Sequence, residues 1–122
     1  MNTPDERPRA VRSADAASTG WVATVEHQQD APPRHADFYD IAADLVATLH
    51  ALGDLSVVLA RQVGRYGEGR ALYDDTRTVD PAARLAEAVA CLRAVRAGLS
   101  TTTAAANAFW SAIGHIGVED TP

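Results

Sequence analysis

Three pairs of polar residues stand four apart: His50 with Asp54, Asp40 with Asp44, and Glu87 with Cys91. On a helix that spacing lets two side chains touch, and a His beside an Asp is a fragment of a metal site or a proton relay. A metal site inside four helices needs more, namely Glu-x-x-His from two helices and a Glu from each of two others. No such motif occurs in the chain. Cysteine–histidine catalysis has no local support either. Cys91 lies in an Ala-rich stretch that suits burial better than reactivity. His115 is near the chain end beside Gly114 and Gly117, and His27 and His35 fall in an N-terminal stretch. GRYGEGR, Gly64 to Arg70, has no strand before it and no Lys-Ser/Thr after it. It therefore reads as a helix stop and turn, not as a phosphate loop. The expectation is no catalytic residue, no cofactor-binding residue and no metal ligand, so the protein is read as a non-enzyme.

The elements that would carry such residues are helices. A first hairpin helix is expected over about 37–66. Asp37 accepts from its free N–H groups, Arg61 and Arg65 lie in its last turns, and Gly67 ends it. A connection follows over 67–79, with the tip LYDDTR reading as a solvated turn that can also serve as a contact site. A second helix is expected over about 81–114, capped by Asp80 with Pro81 in its first position. Phe38, Leu45, Leu52, Leu59 and Tyr66 recur every seven residues, with Ile41, Leu49, Leu55 and Val63 between them. Leu85, Leu92, Leu99, Ala106 and Ile113 do the same, as do Ala88, Val95, Thr102, Phe109 and Ile116. Two such heptad patterns predict an all-α protein: an antiparallel helical hairpin with coiled-coil-like seams, Leu52 included in the core.

Gly98 to Thr103 interrupts the apolar character of the second helix but not its phase. One continuous helix is favoured, weakened at Gly98, with the Thr hydroxyls bonding back to earlier carbonyls. The competing reading breaks the helix near 98–101 and caps a third one with Ser100 or Thr101. Folding the chain back about residue 73 sets Phe38 and Tyr39 against Ala105 to Ala108. Large residues then face small ones, which fills a core without voids.

The first helix has a second apolar face that an isolated hairpin does not need. Tyr39, Ala43, Val46, His50, Gly53 and Val57 step along it by threes and fours, and they are the candidate partner interface. The second helix carries a weaker stripe through Ala90, Ala94, Ala97, Thr101, Ala104 and Ala108. Dimerisation of two hairpins into a four-helix bundle would cover both faces, so a homodimer is expected. An unknown protein partner is the other candidate.

Residues 1–36 read as a flexible, disordered tail. They hold four of the six Pro, five acidic residues and four Arg, and show no sustained helical period. Within them Trp21, Val22 and Val25 could form a short strand or a segment that docks on a groove. Residues 118–122 read as a C-terminal tail.

Composition bounds the rest. At 122 residues the chain is one domain at most. It has 25 Ala, 11 Arg and no Lys, which points to a GC-rich bacterial coding sequence. The net charge of −5 and the lack of any basic block argue against nucleic-acid binding. Arg84, Arg93, Arg96 and the tail arginines are the only support for a DNA-associated regulatory accessory protein of a mobile element. One Cys rules out an internal disulfide and suits a small core residue in a reducing compartment. No unbroken apolar run approaches the ~18 residues of a membrane span, and no basic-then-apolar leader opens the chain. The expected location is cytoplasmic and membrane-free, with a signal-independent export route left open. In size and hairpin shape, Asp37 to Gly117 is similar to the small substrates of type VII secretion systems, which implies a small secreted helical hairpin. Those proteins carry a Trp-x-Gly turn and a Tyr-x-x-x-Asp/Glu signal. Here the connection has no Trp, and Tyr73 is followed four residues later by Arg77.

Overall fold

The structure, a computed structural model, describes residues 4–119. It is helical, and among the described residues there is no strand. Three helices follow in order: α1 (Arg9–Gln29), α2 (His35–Gly64) and α3 (Pro81–Gly114). The chain divides into two units, Met1–Arg34 and His35–Pro122.

The first unit corrects the expectation of a disordered tail. Arg9–Gln29 is a 21-residue α-helix. All four prolines of the segment lie outside it, and the interior is rich in Ala, the strongest helix former. Scattered charges hid this propensity, because they blur the apolar period without opposing the helix. Pro8 precedes the first turn, and Pro32 and Pro33 follow the last. Trp21, Val22 and Val25 are consequently helical and not part of a strand. Trp21 is half-buried while Val22 and Val25 are exposed, and α1 buries no residue. The C-terminal tail is without secondary structure over 116–119, and 120–122 lie outside the described residues.

The second unit is the antiparallel hairpin. α3 runs unbroken through Gly98, so the reading with a third helix capped at Ser100 or Thr101 is excluded. Asp80 caps it by accepting from the Ala82 N–H at 3.1 Å, and Pro81 takes the first turn. The Thr103 hydroxyl donates to the Leu99 carbonyl at 2.6 Å, as the sequence suggested.

The hairpin's seam differs from the expected one. α2 turns Ala42, Val46, Leu49, Gly53, Ser56 and Ala60 toward α3. α3 answers with Leu85, Val89, Leu92, Leu99, Thr103 and Ala106. The small side of α2 thus meets the large side of α3, and close approach follows. Val89 lies 3.7 Å from where a Cβ on Gly64 would stand, and Tyr39 lies 3.2 Å from that position on Gly114. The Ser56 hydroxyl donates to the Leu52 carbonyl at 2.8 Å, which satisfies a polar group inside the seam.

Two corrections follow from this packing. Leu45, Leu52, Leu55 and Leu59 stand exposed although the heptad pattern placed them in the core. Within the candidate interface Val46 is buried, Ala43 and Gly53 are half-buried, and the exposed Tyr39 ring lies tilted against Trp110 with ring centroids 5.6 Å apart. Tyr39, His50 and Val57 of that set stay exposed. The pairing is also displaced by more than a turn, since Tyr39 meets Trp110 and Gly114 in place of Ala105 to Ala108. The chain keeps running along α3 after α2 ends, with Gly67 beside Leu85. It reverses only at the turn closed by the Arg77 N–H donating to the Asp74 carbonyl.

Two further expectations change. Cys91 is exposed, not a core residue. By length and composition alone, α2 is long and apolar enough to cross a membrane, with 17% of that stretch buried. Its apolar residues are interspersed with single polar ones, so no unbroken run announces it.

Candidate interaction surface

The seam divides the hairpin's surface into two flanks. One step after the seam residues of α2 come Ala43, His50 and Val57, and one step after those of α3 come Arg93, Ser100 and Asn107. These positions share a side, because the same open grooves are lined from both helices. One groove of about 360 Å³ brings together His50, Asp54, Arg96, Ser100, Thr103 and Asn107. Its neighbour is lined by Val57 and Arg61 of α2 and by Arg93 and Arg96 of α3. This is the polar flank. His50 and Asp54 lie on one wall as their spacing predicted. Among the described residues, however, no group of three or more His, Cys, Asp or Glu could hold a metal.

One step before the seam residues lie Leu45, Leu52 and Leu59 on α2 and Cys91, Gly98, Thr102 and Ala105 on α3, with Val95 and Phe109 a turn along on the same side. Antiparallel geometry puts these on the side opposite the grooves. Leu45, Leu52, Leu59, Val95, Phe109 and Ile116 are 36 to 54% exposed. Leu55 widens the apolar surface on α2. On α3 small residues widen it: Cys91, Ala94, Gly98, Ala105, Ala108 and Ala112. From Leu45 to Gln62 and from Ala88 to Ala112, no position on this flank is Asp, Glu, Arg or His. The hairpin's charges fall elsewhere, on the polar flank and near the helix ends. The buried apolar core, by contrast, is Ala42, Val46 and Ala106, and no large side chain is fully enclosed. The exposed apolar side chains of this flank thus outnumber the buried apolar residues among the described ones. Sequence reasoning found these leucines but assigned them to the wrong side of α2. The missed signal was the absence of charge around them.

The connection is ordered by Asp74. Its side chain is buried and pairs with Arg84 at 2.8 Å, and the Thr76 hydroxyl and N–H both donate to it. The Thr76 hydrogen bond first and the Arg84 guanidinium second hold its carboxyl down at about 2. Arg84 also reaches Glu87 at 3.3 Å, so Glu87 pairs with a cation and not with Cys91. The LYDDTR tip is thus a braced turn whose first Asp faces inward. Tyr73 at the same tip is exposed, with the Arg77 guanidinium over its ring at 4.4 Å.

At the other end of the hairpin, Tyr39, Asn107, Trp110, Ser111 and His115 line an open recess. The Trp110 Nε1–H is buried there with no hydrogen-bond partner.

Compared with known proteins, the chain matches no family model, no curated protein and no solved structure.

Proposed function

We propose that the protein is a non-enzymatic interaction module whose hairpin self-associates, serving as a scaffold or accessory subunit. The observation that carries this reading is the uncharged apolar flank. Roughly 25 cal/mol is gained for each Å² of such surface removed from water, and the hairpin leaves its leucines outside. The polar grooves are open, and the Asp74–Arg84–Glu87 ion-pair network braces a turn.

Size-exclusion chromatography with light scattering across a concentration series tests the reading. The expected result is a species heavier than the 12.9 kDa chain. Leu52→Glu should return it to the monomer, while Val57→Glu on the polar flank should leave the mass unchanged. A monomer at every concentration would count against self-association.

A second reading has one observation behind it, the length and composition of α2. In that reading α2 lies in or across a lipid bilayer. Asp44 and Asp54 oppose it, because a carboxylate at mid-bilayer costs about 2.5–3.5 kcal/mol even on the mildest scale. The self-association reading leaves both carboxylates in water.

A further inference from the structure

Resting on the self-association reading, we infer that the occupant of the apolar flank is a second copy of this chain in one specific arrangement. Its twofold axis runs parallel to the helices and places α2 of each copy over α3 of its partner. Three observations lead there.

The first is size. The flank follows α2 for about 26 Å and α3 for about 36 Å, and each helix gives it about 10 Å of width. That offers about 600 Å² per copy, or about 1,200 Å² in all, which reaches the lower end of the range of stable interfaces. The second is charge. A surface that meets its own copy about a twofold brings like residues near like, so any cluster of one sign would repel itself. This flank carries no charge along its central length.

The third is shape. Within one chain, the small side of α2 faces the large side of α3. What remains on the flank is the converse, leucines on α2 and small residues on α3. An axis parallel to the helices keeps every residue at its own height. Leu59 of one copy then comes level with Cys91 and Ala94 of the other. Leu52 and Leu55 come level with Gly98, and Leu45 with Ala105 and Ala108. Each leucine meets a gap. A perpendicular axis that set α2 on α2 would stack leucine on leucine and leave the alanines of α3 facing one another. Gly98 thereby acquires a role that the single chain does not give it, since nothing lies within 4 Å of where its Cβ would be.

Two full-length variants test the arrangement. Leu59→Cys places a thiol opposite the partner's native Cys91. With oxidised glutathione as electron acceptor, the two thiols should lose two protons and two electrons and form an interchain disulfide. The readout is a dimer band on a non-reducing gel, with the 59–91 cross-link identified by mass spectrometry. Wild type should give no such band, because the α3 helices lie diagonally across the bundle. Gly98→Gln fills the gap with a good helix former that meets nothing in its own chain. It should raise the dimer dissociation constant at least tenfold without lowering the monomer's helix content. A dimer that gives no 59–91 cross-link and tolerates Gly98→Gln overturns this arrangement and leaves self-association standing. A monomer at every concentration overturns both. A monomer that sediments with phosphatidylcholine–phosphatidylglycerol vesicles also overturns both, and makes lipid the occupant.

Discussion

Asp74 carries the clearest electrostatic consequence of any single residue. Its folded pKa of about 2 lies below the ordinary 3.8. The ionised form therefore favours the folded state, and that contribution is complete above about pH 4. It is lost as the pH falls from about 4 toward 2. Circular-dichroism melts should show the melting temperature dropping over that interval. Asp74→Asn should flatten the drop and lower the melting temperature at neutral pH. Arg77, three residues on, sits in the left-handed region with φ 55°. A non-glycine residue there is strained by roughly 1–2 kcal/mol, against about 0.5–1 kcal/mol for an exposed cation–ring contact. Arg77→Gly should accordingly melt at or above wild type, and Arg77→Val below it. Neither constraint was readable beforehand. LYDDTR looks solvated in sequence because burial of one Asp depends on Arg84, ten residues away on a helix not yet placed.

At the scale of elements, the glycines differ in how closely a neighbour approaches them. A Cβ on Gly53 would meet nothing within 4 Å, whereas one on Gly114 would stand 3.2 Å from the Tyr39 ring. Gly53→Ala should stabilise α2 by up to ~1 kcal/mol. Gly114→Ala should gain less or lose stability, because the Tyr39–Trp110 contact must shift. Val46→Glu should unfold the hairpin by burying an unpaired charge. The helical class was legible, and the unbroken phase through Gly98 favoured a continuous α3 without deciding it. Caps, prolines and an unbroken heptad phase are local signals. Which face of α2 turns inward was not legible. A period of seven fits the Leu45–Leu52–Leu59 row and the Val46–Gly53–Ala60 row equally well. The choice between them lies in helix-to-helix distance, which a lone pattern does not encode. Of the candidate interface, Val46 was therefore lost to the seam and Leu52 gained from it. The helix of Arg9–Gln29 was missed for another reason: its stripe of Val11, Ala14, Ser18, Trp21 and Val25 holds few large apolar residues and lies between prolines.

For the whole molecule, stability and assembly should be inseparable. If the apolar flank is covered only in the dimer, the melting temperature should rise with protein concentration. Leu52→Ala should then cost little at low concentration, where Leu52 is already 42% exposed. The cost should grow where dimer predominates. A concentration-independent melt with a large Leu52→Ala penalty would contradict the placement of Leu52 outside the hairpin.

The inversion of sizes along α2 also has an evolutionary consequence. In most helical proteins the bulkiest apolar positions change least, because they are the innermost. Here the most enclosed positions hold alanine, valine and serine. A saturation mutant library scored for folding should find Ala42 and Ser56 nearly immutable, while Leu45 and Leu55 accept polar replacements. Scored for association, the same library should reverse that order.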